Sequence, residues 1–201
     1  MPWVLQEHSF GCDDPVRAAR LEPGEKVLNL GCGVGFDLMT AAKAVGTSGH
    51  AYGLDTDVSM LKKARININK LRIANATLLY CDNDTVPLFD ESVDVIMSHG
   101  AADILAQGGR ILRETHRVLV SGGRLVLSAC MSGTLRVEEY REKLINAGFT
   151  DIAITLTKQH PLDTDTIKQH ENLQGNGFSA EESLSVNELI QAYKPLKNTA
   201  D

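Results

Sequence analysis

An apolar segment that runs into closely spaced glycines constrains this chain more than any other feature. Residues 27–37 are VLNLGCGVGFD, so Gly31, Gly33 and Gly35 follow a strand-like run and precede a helix-like run. Glycine permits a tight turn and close approach of a ligand, and the helix that follows offers unpaired N–H groups. The spacing G-x-G-x-G differs from the G-x-G-x-x-G that seats a dinucleotide pyrophosphate. The segment predicts a nucleotide pocket that is not built for NAD.

An acidic residue ends the next apolar segment, HAYGLD at residues 50–55. Asp55 follows the glycines by roughly 20 residues, where nucleotide-binding folds place the carboxylate that accepts hydrogen bonds from both ribose hydroxyls. We therefore expect Asp55 to bind a ribose, with Thr56 beside it in the same pocket. A turn or helix-capping role is the alternative for Asp55.

Composition and charge exclude several function classes. The chain has 201 residues, 43% of them hydrophobic, which suits one well-buried domain. The net charge of -6 and the scattered Lys and Arg argue against nucleic acid as a partner. We find neither an apolar run of about 18 residues nor a signal-peptide pattern, so the sequence predicts a cytoplasmic protein without a membrane partner.

The cysteine pattern predicts free thiols. Cys12, Cys32, Cys81 and Cys130 show no C-x-x-C spacing. A chain without export signals seldom relies on disulfides, and a zinc site needs closely spaced ligands. We therefore expect neither a disulfide framework nor a metal site.

Alternating strand and helix signals predict an α/β fold. Strand-like segments lie at 26–30, 50–54, 76–80, 93–97, 123–128 and 151–157, and helical periodicity lies at 36–45, 58–70, 108–119 and 135–147. This order predicts a doubly wound, Rossmann-like, mostly parallel sheet with helices on both faces. Asp57 is placed to cap the second helix. We expect an N-terminal segment at 1–25, one domain at 26–158 and a partly ordered tail at 159–201, in which only 188–193 looks helical.

Four motifs in this order resemble those of the class I S-adenosylmethionine-dependent methyltransferases. They are the glycine loop, Asp55, LYCD at 79–82 and SVDVIMS at 92–98, and the resemblance covers roughly residues 20–155. It implies a class I methyltransferase sheet, which usually ends in an antiparallel hairpin strand. It also implies S-adenosylmethionine as the cofactor.

The resemblance assigns cofactor contacts residue by residue. The glycine loop, including Cys32, passes beneath the amino-acid end of the cofactor. Asp82 and Asn83 lie where the family contacts the adenine, although a turn role is their alternative. Ser98, at the end of the fourth strand, joins the cofactor set. Asn29 stands where the family often has Asp and is interpreted as a strand residue.

Shorter segments are similar to the arsenite methyltransferases, namely FGCDDP at 10–15, LEPGEKVL at 21–28 and CMSGTL at 130–135. Trivalent arsenic is soft and prefers thiolates, so several thiols must converge on it. Cys130 matches that family's substrate-site pattern and Cys12 is a second candidate. Leu38 replaces a further family cysteine, and an insertion that closes over the substrate is absent.

Two residues are catalytic candidates. His99 follows the fourth strand, where substrates meet the methyl group in such folds, and histidine can act as a general base near neutral pH. A partly exposed loop residue is the alternative for His99. Cys130 is the second candidate, with an ordinary core cysteine as its alternative.

The leading prediction is an S-adenosylmethionine-dependent methyltransferase acting on a small organic molecule. Arsenite is the alternative acceptor. A third hypothesis is a repurposed methyltransferase fold that acts as an isomerase or cyclase, or as a binding protein, because fold does not fix function. The expected partner is a small-molecule substrate, together with a second copy of the chain if a homodimer completes the site.

Overall fold

The computed structural model describes residues 15–81, 85–99, 109–131, 137–161 and 184–197. Within these ranges, the side chains of residues 129–131, 156–161 and 184–188 are not described.

Helices and strands alternate along most of this chain. The helices are α1 Pro15–Ala19, α2 Phe36–Val45, α3 Val58–Lys70, α4 Gly109–Val118 and α5 Val137–Asn146; the strands are β1 Lys26–Leu30, β2 His50–Asp55, β3 Ala76–Tyr80, β4 Val93–Ser98, β5 Leu119–Met131, β6 Thr150–Pro161 and β7 Leu184–Tyr193. The capping prediction for α3 is confirmed, because an Asp57 oxygen accepts hydrogen bonds from the backbone N–H groups of Ser59 and Met60.

The strands form one seven-stranded mixed sheet in the order β3-β2-β1-β4-β5-β7-β6. The first five strands in this order, from β3 to β5, are parallel to their neighbours, whereas β7 pairs antiparallel with both β5 and β6. The predicted α/β, Rossmann-like and mostly parallel fold is therefore confirmed. The strand order reverses between β1 and β4, and this switch point is where such sheets open a ligand crevice at their carboxyl ends.

Two apolar layers cover the sheet. One packs α1, α2 and α3 on its first face around Val27, Leu38 and Val126. The other packs α4 and α5 on the opposite face around Leu28, Leu112 and Tyr140. Both faces of β1 and β4 are buried. These central strands are therefore accessible only at their ends.

The prediction of a helix at 188–193 is wrong, because these residues belong to β7. Their composition, ELIQAY, consists largely of good helix formers, but pairing with two neighbouring strands satisfies their backbone and overrides that local preference. Ile190 and Ala192 are fully buried and alternate with a half-buried Gln191, as expected of a strand.

The sequence analysis also missed α1, which is only five residues long. Contacts distant in sequence hold it in place. The Arg124 guanidinium of β5 donates to the Ala19 carbonyl at 2.8 Å and pairs with Glu25 at 2.7 Å. A local pattern in the sequence cannot predict such contacts.

Candidate functional site

The predicted site lies at the carboxyl ends of the central strands. The glycine loop follows β1, Asp55 is the last residue of β2, and His99 follows β4 directly. These positions flank the switch point, so the topology brings the glycine loop, the acid and the histidine to one edge of the sheet.

The glycine loop leaves open space where side chains would otherwise be. Gly31, Gly33 and Gly35 have φ values of 65°, 52° and 88°, a backbone conformation that favours glycine. A Cβ added to Gly31 or Gly33 would meet nothing within 4 Å, whereas one at Gly35 would lie 3.2 Å from the Ala64 Cβ. Gly35 thus serves helix packing, while Gly31 and Gly33 form a cradle that a ligand can enter.

Two backbone amides fix the Asp55 carboxylate beside this cradle. The Gly33 N–H donates to Oδ2 at 2.7 Å and the Asp57 N–H donates to Oδ1 at 2.9 Å. The second bond is a turn contact, so the turn alternative describes part of the role of Asp55, while Asp57 does the helix capping. Each carboxylate oxygen accepts more than one hydrogen bond, so both remain able to receive a ligand hydroxyl.

Cys32 lies within the glycine loop, where its backbone N–H donates to the Leu54 carbonyl and its carbonyl accepts from the Gly35 N–H. Its side chain is buried and lies against Gly53, where an added Cβ would come within 3.0 Å of the Cys32 sulfur. Burial, followed by the negative charge of Asp55, raises the pKa of the Cys32 thiol to about 12. The thiol is protonated at neutral pH and packs as a small apolar group.

Asn29 is a strand residue, as interpreted from the sequence, and it also carries a buried polar side chain. This residue of β1 is 2% exposed and lies in register with Gly53 of β2 and Met97 of β4. In the described part of the chain, nothing donates a hydrogen bond to its Oδ1. A buried acceptor without a donor costs about 1–3 kcal/mol, so a ligand that donates here would recover that energy. The signal was one polar residue in an apolar strand just before the glycines.

A hydrogen-bonded contact between two side chains crosses the switch point. His99 Nδ1 lies 2.7 Å from Oδ2 of Asp37, a residue in the first turn of α2. The two side chains are 31% and 15% exposed. The contact therefore joins the helix that follows the glycine loop to the end of β4, in a partly desolvated position.

The structure describes only some of the other predicted site residues. Ser98 is buried at the end of β4, and Thr56 is exposed beside Asp55. Asp82, Asn83 and Cys12 lie outside the described residues. The Cys130 backbone belongs to β5, but its side chain is not described.

Cys81 is buried, and its thiol lies 3.1 Å from the Thr85 carbonyl. It belongs to the core layer on the α4 and α5 face, whereas Cys32 belongs to the layer on the opposite face. Among the described residues, no three His, Cys, Asp or Glu side chains group as around a metal ion. None of the helices described is long and apolar enough to cross a membrane.

Comparison with curated proteins identifies methyltransferases as relatives. An arsenite methyltransferase from Halobacterium salinarum is 33% identical in an alignment of 165 positions that covers 72% of this chain and 42% of that protein. A demethylmenaquinone methyltransferase from a Geobacillus species is 27% identical over 131 residues, which cover 65% of this chain and 56% of that protein. The chain thus spans about half the length of these relatives.

Solved structures and a family model agree with this result. An arsenic(III) S-adenosylmethionine methyltransferase from Chlamydomonas reinhardtii shares the fold, with a TM-score of 0.71 and 20% identity over 98% of this chain and 72% of that one. The model of a methyltransferase domain family matches residues 21–176. Because that match covers well over half of the chain and the predicted resemblance is confirmed, the protein belongs to the methyltransferase domain family.

Proposed function

We propose that this chain is an S-adenosylmethionine-dependent methyltransferase that acts on a small organic molecule. One observation carries the proposal: an open cradle at Gly31 and Gly33 lies beside an Asp55 carboxylate that two backbone amides hold in place. Its position at the switch point of a methyltransferase-family sheet supports the same function.

The described residues fit this cofactor. Asp55 would accept hydrogen bonds from the ribose hydroxyls, and the glycine loop would pass beneath the amino-acid end. The buried Asn29 Oδ1 would accept a hydrogen bond from the cofactor's amino group, which would satisfy an acceptor that has no donor among the described residues. Asp82 and Asn83 are proposed for the adenine. When bound, the cofactor supplies a methyl group on a positively charged sulfur.

Arsenite is the second candidate acceptor, because a 33% identical relative is an arsenite methyltransferase. The two thiols that the structure describes do not support arsenite as the acceptor. Cys32 has a pKa raised to about 12, and Cys81 belongs to the core layer on the other face of the sheet. An arsenic site would therefore depend on Cys12 and Cys130. An organic acceptor needs no such cluster, and one relative is a demethylmenaquinone methyltransferase.

Calorimetric titration with S-adenosylmethionine and its demethylated product tests the cofactor assignment. The wild type should bind both in the micromolar range, and Gly33→Ala should not, because the added methyl group fills the cradle. Gly46→Ala is the matched control: Gly46 also has a positive φ, 67°, and open space at its Cβ position, but it lies at the far end of α2. Absence of binding to the wild type would refute the proposal.

Transfer of a radiolabelled methyl group tests the acceptor class. The wild type should label small organic molecules in a cell extract more readily than it labels arsenite. Preferential labelling of arsenite would reverse the order of the two candidates. A cytoplasmic location and a homodimer stay predictions, which cell fractionation and light scattering of the purified protein would test.

A further inference from the structure

One side chain of α3 reaches the glycine loop from a distant part of the sequence. The Asn67 Nδ2 group donates a hydrogen bond to the Val34 carbonyl at 3.0 Å, and the two residues are 33 positions apart. Val34 lies between Gly33 and Gly35. Asn67 and Val34 are both half-buried, so water competes only in part for this bond. The bond ties the loop of the proposed cofactor site to the helix that follows β2.

The peptide unit between Val34 and Gly35 is held at both ends. Its carbonyl accepts the Asn67 bond, and its N–H, which belongs to Gly35, donates to the Cys32 carbonyl at 2.8 Å. The second of these bonds closes a four-residue turn. Without the Asn67 amide, the turn would keep its own bond but lose the contact that sets its orientation against α3.

A loop with alternate glycines depends on such restraints. Glycine loses more conformational freedom on ordering than any other residue. Side-chain groups that hold the loop from outside are Asp55, which accepts from the Gly33 N–H at 2.7 Å, and Asn67. A ligand that enters a loop already ordered loses less entropy on binding. Each of these restraints should therefore strengthen binding at the cradle.

The asparagine at position 67 does not favour α3 itself. It lies in the interior of this helix, Val58–Lys70, where asparagine is a weaker helix former than alanine. The reason is that its side chain can bond to nearby backbone groups and so favours other conformations. The contact with Val34 is what its amide contributes in the folded protein.

We propose that Asn67 is a positioning residue for the cofactor, because its amide holds the Val34 carbonyl and keeps the glycine loop in the shape that receives S-adenosylmethionine. This proposal rests on the proposed methyltransferase function and adds a residue that acts through the loop. The same helix also supports the acid of the site. Asp57, which caps α3, donates its N–H to Oδ1 of Asp55 at 2.9 Å. Helix α3 therefore aligns the loop and the carboxylate with each other.

Alanine variants of the full chain separate positioning from stability. Asn67→Ala removes the loop contact but improves helix propensity, so the melting temperature should stay within about 2 °C of the wild type. Its dissociation constant for S-adenosylmethionine should rise roughly 10-fold, in the range of one lost hydrogen bond. Asn69→Ala is the matched control, exposed on the same helix, and should change neither quantity.

A third variant shows what a purely structural asparagine does. The Asn75 amide donates to the carbonyls of Ala42 and Gly46 at 2.8 and 2.7 Å, at the end of α2 that lies away from the glycine loop. Asn75→Ala should therefore lower the melting temperature and leave the affinity for S-adenosylmethionine unchanged. Asn67→Ala should show the opposite pattern.

Amide hydrogen exchange measures the order of the loop without any cofactor. Labelled valine carbonyl carbon together with labelled glycine nitrogen selects the amides of Gly35 and Gly46, since glycine follows valine in this sequence only at these positions. We expect the Gly35 amide to exchange roughly 10-fold faster in Asn67→Ala than in the wild type, with Gly46 unchanged. Addition of S-adenosylmethionine should restore slow exchange at Gly35.

Several results would overturn the proposal. One is a lower melting temperature without loss of affinity in Asn67→Ala, which would make the contact merely structural. Another is an equal loss of affinity in Asn69→Ala, and a third is unchanged exchange at Gly35. A wild type that does not bind S-adenosylmethionine refutes the proposed function instead, and the exchange measurement then still decides whether Asn67 orders the loop.

Discussion

Replacement of Asp55 by asparagine should weaken cofactor binding about as much as removal of the side chain would. The two carboxylate oxygens each face a backbone donor, Gly33 N–H at 2.7 Å and Asp57 N–H at 2.9 Å. Asparagine offers one oxygen and one NH₂ group, so one of these amides must face another donor. Rotation of the side chain by 180° only exchanges which amide is affected.

The magnitude follows from the bonds lost. A backbone donor left without an acceptor under a bound ligand costs about 1–3 kcal/mol. The ribose hydroxyls would also exchange a charged acceptor for neutral groups, which removes about 1 kcal/mol more. A total of about 3 kcal/mol corresponds to roughly 100-fold weaker binding of S-adenosylmethionine. The stability of the free protein should change less, because in the free protein water can reach the amide left without an acceptor beside half-buried Asp55.

Calorimetry on Asp55→Asn and Asp57→Asn measures this difference. Asp57→Asn is the matched control, since asparagine caps helices as well as aspartate does and Asp57 receives its bonds from the first turn of α3. The control should keep wild-type affinity and lose only a little stability through the lost charge. Wild-type binding by Asp55→Asn, or equal loss in both variants, would refute the reasoning.

Three further predictions concern packing and protonation. Gly53→Ala places a Cβ 2.5 Å from Leu38 Cδ2, so overpacking of about 1–3 kcal/mol should lower the melting temperature by roughly 2–4 °C per kcal/mol. The Cys32 thiol, with its pKa of about 12, should resist iodoacetamide at pH 8 until the protein is denatured, as mass spectrometry would show. Burial lowers the pKa of His116, so the unfolded chain protonates first; urea unfolding should show stability lost as the pH falls below about 6.5, and less so in His116→Gln.

Local signals were enough to predict most of the elements. The predicted bounds of β1, β3, α2 and α3 agree with the structure. For β1, α2 and α3, a glycine or a capping residue next to the segment marks where it begins or ends. The positive φ values of the glycine loop follow in the same way from three glycines at alternate positions.

Contacts between distant residues could not be predicted in this way. The β7 strand is specified by its two neighbours in the sheet, and ELIQAY carries no local sign of them. The Asp37 and His99 side chains are 62 positions apart, and the sequence analysis considered His99 without a partner. The Asn29 acceptor has the same explanation, because only the assembled sheet shows that no described residue donates to it.

The glycine loop connects the two halves of the candidate site. Gly33 donates to Asp55 beside the proposed cofactor cradle, and four residues later Asp37 contacts His99 at the end of β4. Backbone bonds from Gly35 N to the Cys32 carbonyl and from Met39 N to the Gly35 carbonyl make the loop continuous with α2. Because one short segment contacts residues at the ends of both β2 and β4, it fixes the groups on these two strands relative to each other.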